Sequence, residues 1–366
     1  MHKVKSVAIY VNSFHCGGVE WAMYRLALGL RKRGHKVNFV IGQEGGELSS
    51  LIRKDFEVFN LNEPRTFRGL FAMAKFLKER KPDILISNLL RANLAAVIAR
   101  AIARVQTRLI LVSHAFLSCD LSNCSSIDKV MGSVLTPLLY RRADKVVTVS
   151  HAVAVETSII AHIPQQKIDV IYNPVIPYDF EQLTQGDPDQ QWLLEHDKPV
   201  VLAIGRLVPE KDFITLIEAF AIVRSKKDAR LIILGDGPER KNIEAAIARH
   251  SLQDCVELSG FRSNVFPWLR SADLLVLSSI TEALSAVLIE ALACGTPVVS
   301  TDCGGPAEVL ENGRYGILVP LKDPQMMAEA IVKTLEARHD RDLLRQRGHY
   351  FSVDKAAVSY EKLFYD

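Results

Sequence analysis

The sequence predicts an α/β protein with two doubly wound parallel sheets in tandem. The chain has 366 residues, which is long for a single α/β core and suits two domains. Short runs rich in valine and isoleucine alternate with longer segments that have helical spacing. This alternation occurs twice, and a polar, proline-containing stretch at residues 173–198 separates the two series.

The first series predicts seven strands with helices between them. Short, continuous apolar runs are typical of parallel strands that are covered by helices on both faces. The predicted strands span residues 7–11, 37–41, 57–61, 83–87, 108–113, 145–150 and 169–172. The predicted helices include residues 19–33, 68–81, 92–104 and 129–142.

The second series predicts six more strands, at residues 200–204, 230–234, 256–259, 274–278, 298–301 and 316–319. A helix at 326–335 is indicated by Asp323 as N-cap and Pro324 at the first helical position. We expect an N-terminal domain of residues 1–175, a linker at 176–198 and a C-terminal domain at 199–350. A last helix at 352–366 should pack back on the first domain, and the two sheets should face each other across a cleft.

Composition narrows the class of protein. The content of 48% hydrophobic and 24% charged residues is that of a globular protein without low-complexity tracts. The first apolar run is too short for a signal peptide, and no stretch reaches the roughly 18 apolar residues of a membrane span. We therefore expect a cytoplasmic protein. The six cysteines, among them Cys16 and Cys124, form no CxxC pair, so no metal site or disulfide framework is expected.

The charge is distributed unevenly. Residues 1–175 contain 24 lysines and arginines against 13 acidic residues, whereas the remainder contains 21 against 29. The first half is therefore expected to meet an anionic partner, although it has no nucleic-acid-binding motif. The helix at 68–81 is either an ordinary amphipathic surface helix or a site of peripheral membrane docking on the inner face of the membrane. The side chains placed on its apolar side are Leu70, Phe71, Ala74 and Leu77.

The segment at 281–300 is the most informative. Ser285 is a plausible N-cap for a helix at 286–294, and Gly295 ends that helix. Glu290 is its only charged residue, so we expect a buried carboxylate that needs a partner. The partner is either a pair of sugar hydroxyls or a nearby basic side chain or backbone amide. The amides that open the helix form a potential site for a diphosphate.

This segment, in which seven residues separate Glu282 from Glu290 ahead of the sequence CGTPVV, resembles the retaining glycosyltransferases of family 4, which have the GT-B fold of two facing Rossmann-like domains. The resemblance extends over nearly the whole chain. It implies that Glu290 holds the ribose of a nucleotide-sugar and that Glu282 touches the donor sugar. It also implies that the amides of Ala283, Leu284 and Ser285 meet the donor phosphates and hydroxyls.

The resemblance assigns further site residues. The stretch at 205–211 is similar to the family element in which an arginine and a lysine, here Arg206 and Lys211, neutralise the diphosphate. The alternative is a salt bridge of these cations to Glu210 or Asp212. His114 matches the histidine that faces the donor sugar, in a positioning role and not as a metal ligand.

Weaker assignments come from the remaining strand ends. Gly17 and Gly18, after the first strand, allow backbone amides to approach an anion. Phe261 and Arg262 fall where the family contacts the base. For Asn88 and Arg91, contact with the acceptor and simple helix capping remain alternatives.

Together these features predict a metal-independent, cofactor-independent retaining hexosyltransferase. It would transfer a hexose or N-acetylhexosamine from a nucleotide-sugar, with UDP as the expected nucleotide, to a glycan or lipid-linked acceptor in polysaccharide or lipopolysaccharide assembly. One alternative is an isomerase of the sugar-nucleotide 2-epimerase kind. Another is a non-catalytic sugar-nucleotide-binding subunit, which would be expected to lose His114, Arg206 or Lys211.

Overall fold

A computed structural model describes residues 3–15, 17–63, 68–122, 126–195 and 197–365. The chain divides into two compact units. Unit 1 consists of Met1–Pro174 with Val353–Asp366, and unit 2 consists of Val175–Ser352. Each unit has its own parallel sheet, with seven strands in unit 1 and six in unit 2.

Unit 1 alternates strands and helices. Its strands are β1 (Ser6–Val11), β2 (Lys36–Ile41), β3 (Glu57–Asn60), β4 (Ile84–Asn88), β5 (Arg108–Ser113), β6 (Lys145–Thr148) and β7 (Ile168–Val170). Its first seven helices are α1 (Gly18–Lys32), α2 (Ser49–Asp55), α3 (Leu70–Arg80), α4 (Leu90–Ala103), α5 (Leu117–Ser122), α6 (Ser126–Tyr140) and α7 (His151–Ala161). The strand order is β3-β2-β1-β4-β5-β6-β7.

Unit 2 repeats this plan. Its strands are β8 (Val200–Ile204), β9 (Arg230–Leu234), β10 (Val256–Gly260), β11 (Leu274–Leu277), β12 (Val298–Thr301) and β13 (Ile317–Val319), in the order β10-β9-β8-β11-β12-β13. Its helices are α8 (Phe180–Leu183), α9 (Gln191–Glu195), α10 (Phe213–Lys226), α11 (Arg240–Arg249), α12 (Phe266–Ser271), α13 (Ala286–Cys294), α14 (Gly305–Val309), α15 (Pro324–Glu336) and α16 (Arg341–His349).

The last helix, α17 (Val353–Lys362), belongs to unit 1 and packs on α1. A Cβ atom at Gly29 of α1 would lie 2.8 Å from side-chain carbons of Val353 and Ala357, so a glycine is needed for this close approach. The apolar face of α17 is buried in the core of unit 1. The buried Glu361 accepts hydrogen bonds from Arg33 and lies 3.1 Å from Nε2 of His35.

Both faces of the unit 1 sheet are covered. Alternate residues of β1 enter two different apolar clusters, with Ala8 and Tyr10 in one and Val7, Ile9 and Val11 in the other. This two-residue period is what a strand between two helical layers requires. The prediction of parallel sheets covered on both faces is therefore confirmed.

Two local differences from the predicted elements have physical reasons. The stretch predicted as a linker contains α8 and α9, whose Phe180 and Leu193 are buried in unit 2. On α3, Phe71 is 75% exposed because Met73, Ala74, Phe76 and Leu77 form the buried side of that helix. No helix in the described ranges is long and apolar enough to cross a membrane.

Candidate functional site

The strand orders create a switch point in each sheet. Chain connections run in opposite directions from β1 and β4 in unit 1, and from β8 and β11 in unit 2. In open α/β sheets, ligands bind at the carboxyl ends of the strands beside such a point. Most of the predicted site residues lie at the ends of these strands or of their neighbours, and Phe261 and Arg262 follow the edge strand β10.

In unit 2, the structure brings Lys211 and Glu282 together at this edge. Nζ of Lys211 lies 2.5 Å from Oε1 of Glu282, and that oxygen also accepts a 2.9 Å hydrogen bond from Oγ of Ser279. The two charged side chains are only 25% and 14% exposed. Lys211 therefore pairs with Glu282, which was also predicted to bind the donor sugar, and not with Glu210 or Asp212. The Asp212 carboxylate instead caps α10.

Glycines hold the backbone at Glu282. The Glu282 amide donates to the carbonyl of Cys303 at 3.3 Å, and its carbonyl accepts from the Gly305 amide at 2.8 Å. A Cβ atom at Gly305 would lie 2.5 Å from the carbonyl oxygen of Ala283, so no larger residue fits without a backbone shift. Gly304 has φ 111°, which also favours glycine. These contacts fix the loop that leads from β11 into α13.

Helix α13 begins and ends at the predicted residues. Ser285 is its N-cap residue, but the Ser285 side chain makes no capping hydrogen bond. The first-turn amides are consequently not capped by this side chain, and they carry the positive end of the helix dipole.

The expectation that Glu290 is buried is wrong. Glu290 is half-buried, and Ala286 and Val287 on the same side of α13 are also partly exposed, as is Ala283 in the loop before the helix. Residues spaced by three or four positions share one side of a helix. The open amino end of α13 and the carboxylate of Glu290 therefore lie along one partly exposed stripe.

A second glycine loop positions Arg206. The amide of Leu207 donates to the carbonyl of Asp236 at 2.9 Å, and a Cβ atom at Gly235 would lie 1.8 Å from the carbonyl oxygen of Gly205. Arg206 is exposed, and its guanidinium makes no ion pair within the part of the chain that the structure describes. Arg206 thus supplies an exposed cation at the same edge as the Lys211–Glu282 pair.

Phe261 and Arg262 follow β10, at the edge of the unit 2 sheet. Phe261 is 65% exposed, and the guanidinium of Arg262 stacks 5.2 Å from the ring centre of Trp268. Their predicted contact with a base stays a prediction.

In unit 1, His114 follows β5 and lies beside Asn88, the last residue of β4. Nε2 of His114 is 2.8 Å from Oδ1 of Asn88, whose Nδ2 donates to the carbonyl of Tyr10 at 3.0 Å. Asn88 is 2% exposed and does not cap α4, whose N-cap residue is Leu89. The Asn88 amide is thus engaged inside unit 1, which favours a role through His114 over direct contact with an acceptor.

Burial lowers the pKa of His114 to about 4, and the nearby Asn173 side chain opposes this shift only in part. Nδ1 of His114 is buried and has no partner within strict hydrogen-bond geometry among the described residues. His114 is therefore neutral at physiological pH, with one ring nitrogen unsatisfied.

The amino end of α1 differs from the expected open anion site. A Cβ atom at Gly17 would lie 2.5 Å from Oε2 of Glu20, whereas no atom lies within 4 Å of one at Gly18. Burial raises the pKa of Glu20, and its own backbone amide and His15 oppose that shift. Arg91 is exposed on α4. Two of the cysteines, Cys16 and Cys124, lie outside the described residues.

Sequence reasoning did not single out Ser279 or Glu20 as site residues. Each contacts or approaches a predicted site residue through the fold, so local sequence carried no signal except the position of Glu20 in the first turn of α1. Burial raises the pKa of Cys294 to about 12 and that of Cys303 to about 11, which leaves both as neutral thiols. The described side chains form no metal-binding cluster.

The two-sheet fold matches known protein structures. A glycosyltransferase structure from Rickettsia africae covers 99% of this chain and 98% of its own, with a TM-score of 0.82 and 19% identity. HepE from Anabaena in complex with UDP covers 98% of both chains, with a TM-score of 0.79 and 23% identity. These likenesses define a protein of the GT-B glycosyltransferase fold class, as predicted.

Two family models match the two halves of the chain. The model for Glycosyltransferase Family 4 matches residues 16–177, and that for Glycosyl transferases group 1 matches residues 185–350. Together the two models cover most of the chain, which therefore belongs to the glycosyltransferases that they describe.

Two curated relatives have informative names. N-acetyl-alpha-D-glucosaminyl L-malate synthase of Bacillus anthracis is 28% identical over 62% of this chain and 60% of that protein. The lipopolysaccharide core biosynthesis glycosyltransferase LpsE of Rhizobium meliloti is 37% identical over 42% of this chain and 44% of that protein. The chain thus matches about half the length of these relatives.

Proposed function

We propose that the protein is a metal-independent retaining hexosyltransferase. It transfers a hexose or N-acetylhexosamine from a UDP-sugar to a glycan or lipid-linked acceptor in polysaccharide or lipopolysaccharide assembly. The observation that carries this proposal is the grouping of Arg206, the Lys211–Glu282 pair and the amino end of α13 at the carboxyl edge of one sheet.

The chemistry of this grouping suits a nucleoside diphosphate as leaving group. Negative charge develops on the diphosphate as the glycosidic bond breaks, and fixed cations and helix amides stabilise that charge. Glu290, on the same stripe of α13, accepts from the two ribose hydroxyls. Glu282 and His114 contact the donor sugar, Phe261 and Arg262 contact the base, and the amide at Gly18 contacts the donor. The Gly17 amide is excluded because it already donates to the carbonyl of His15.

The names of similar proteins support the nucleotide and the pathway. HepE was crystallised with UDP, and the Rhizobium relative is named for lipopolysaccharide core biosynthesis. Contact with an anionic membrane is part of the proposal and rests on α3, where the exposed side chains of Phe71, Lys75 and Lys78 repeat at helical spacing.

A panel of UDP-, GDP- and ADP-sugars tests the proposal. We expect one or more UDP-sugars to raise the melting temperature and to release UDP when membrane extract supplies the acceptor. NMR of the product should show the anomeric configuration of the donor. Failure of every nucleotide-sugar to stabilise the protein or release nucleotide would refute the transferase assignment, and an inverted product would refute retention.

A further inference from the structure

Asn88 and His114 form a buried hydrogen-bonded pair in unit 1. The positions of the protons in this pair follow from the neighbouring groups that can only accept a hydrogen bond. The carbonyl of Tyr10 can only accept a hydrogen bond, so the group 3.0 Å from it must be the Asn88 amide nitrogen. The Asn88 oxygen then faces Nε2 of His114 at 2.8 Å. Because that oxygen also only accepts, Nε2 must carry a proton.

The remaining ring nitrogen of His114 has the opposite character. A neutral imidazole with its proton on Nε2 has a lone pair on Nδ1. That nitrogen is buried and unsatisfied in the described structure, and only a hydrogen-bond donor can satisfy it. A sugar hydroxyl is a donor of this kind, whereas a phosphate oxygen would be repelled.

The backbone around Asn88 is hydrogen-bonded to the neighbouring strand β5. Leu89 has φ 70° and ψ 152°, a conformation that a leucine rarely adopts, and its amide donates to the carbonyl of Val112 at 3.2 Å. The register that pairs Asn88 with Val112 places the end of β4 against the end of β5. The Asn88 side chain is therefore fixed by two neighbouring strands before any ligand binds.

We propose that Asn88 is a positioning residue that holds His114 as the neutral Nε2–H tautomer, so that Nδ1 is an acceptor selective for a hydroxyl. The contact of that acceptor with a sugar rests on the proposed function. The tautomer itself is a property of the free protein and can be tested without any donor.

Nitrogen NMR of histidine-labelled full-length protein tests the proposed tautomer of His114. The His114 signals are assigned by their loss in H114Q. At neutral pH we expect Nε2 to show a shift typical of a protonated ring nitrogen and Nδ1 one typical of an unprotonated nitrogen. A proton on Nδ1, or on both nitrogens, would overturn the proposal whether or not the protein transfers sugars.

Two substitutions at Asn88 separate positioning from mere structure. N88D places a carboxylate against Nε2, so we expect His114 to take up a second proton at neutral pH. N88L removes both hydrogen bonds, so we expect a mixture of tautomers. If N88D leaves the His114 nitrogen shifts unchanged, Asn88 does not control the ring.

Asn93 provides the matched control. It is fully buried in the same unit, and its amide donates to the carbonyl of Val112 and lies 3.1 Å from the hydroxyl of Tyr140 without touching His114. We expect N93L to leave the His114 shifts as in the wild type. An equal change of those shifts in N93L and N88L would show a general loss of packing and would overturn the specific role of Asn88.

Discussion

Glu290 is the residue on which donor binding should depend most. Its carboxylate lies on the partly exposed stripe of α13, where it can accept from two ribose hydroxyls at once. Hydrogen bonds to a charged group contribute about 1.5–3 kcal/mol, so E290A should weaken UDP binding by roughly 10- to 150-fold. Isothermal titration with UDP measures this change.

The control for this prediction is E218A. Glu218 is also a half-buried carboxylate on a helix of unit 2, and it lies outside the proposed site. The E218A variant should bind UDP with the affinity of the wild type. Equal affinity of E290A and E218A for UDP would contradict the ribose assignment.

His114 should make unit 1 less stable in acid. Its pKa of about 4 lies below the ordinary value of 6.5, so between these values the unfolded chain binds a proton that the folded protein excludes. The contribution to stability is intact above about pH 6.5 and is lost as the pH falls towards 4. By linkage, the loss is about 2 kcal/mol between pH 8 and pH 5.

Peptide-resolved hydrogen exchange of β4 and β5 at the two pH values measures this effect. H114Q keeps a polar side chain that does not titrate, so it should lose less protection in acid than the wild type. The prediction fails if the wild type and H114Q lose equal protection between pH 8 and pH 5.

Sequence reasoning reached the identities of these residues but not their surroundings. Glu290 was expected to be buried because apolar residues surround it in sequence, but the fold leaves one stripe of α13 partly exposed. The bond between Asn88 and His114 joins residues 26 positions apart, and it depends on the pairing of β4 with β5. A local sequence pattern does not show the register in which β4 pairs with β5.

At the scale of elements, the exposed side of α3 predicts contact with a membrane surface. Phe71 is 75% exposed, and Lys75 and Lys78 follow it on the same side of the helix. An aromatic ring flanked by lysines suits the interface of an anionic bilayer. F71E should reduce cosedimentation with vesicles that contain anionic phospholipid by at least fivefold, since it removes apolar area and adds repulsion.

The control is I102E, which changes an exposed apolar residue on α4 of the same unit. That variant should bind the vesicles nearly as the wild type does. Equal losses in F71E and I102E would point to general charge repulsion, and undiminished binding of F71E would exclude α3 as the contact.

The strands were predictable within two residues because most are short apolar runs. Central strands such as β1, β4 and β5 are buried on both faces, and a run of valine, leucine and isoleucine is then the direct signal. The short helices α8 and α9 were not predictable in this way. Their segment is polar and rich in proline, and they are held by single buried side chains such as Phe180, which packs edge-on against Phe266. Tertiary contact there outweighs local propensity.

For the whole molecule, the two units should differ in independence. Unit 2 is one continuous segment, whereas unit 1 needs the segment of α17. Ala357 and Tyr360 of this helix, and Phe364 just after it, are at most 3% exposed in the core of unit 1. We expect a fragment of residues 175–352 to fold alone. A fragment of residues 1–174 should aggregate or melt at least 10 °C lower than the same fragment supplied with α17 through a flexible linker.

Circular dichroism and thermal melting of the three fragments give the answer. E361A in the full chain is a milder version, because it leaves Arg33 and His35 without their carboxylate partner. It should destabilise unit 1 by roughly 1–3 kcal/mol, as expected for a buried charge-assisted contact. A cooperative, unshifted melt of residues 1–174 would show that α17 is dispensable.

The return of α17 to unit 1 also sets an order of events during protein synthesis. The ribosome makes all of residues 175–352 before it makes the helix that completes the first core. Unit 2 can therefore fold as soon as it emerges, while the α1 surface around Gly29 must wait, uncovered, for the last part of the chain. Until then the nascent protein exposes an apolar face that a chaperone could shield, although translation began with that half.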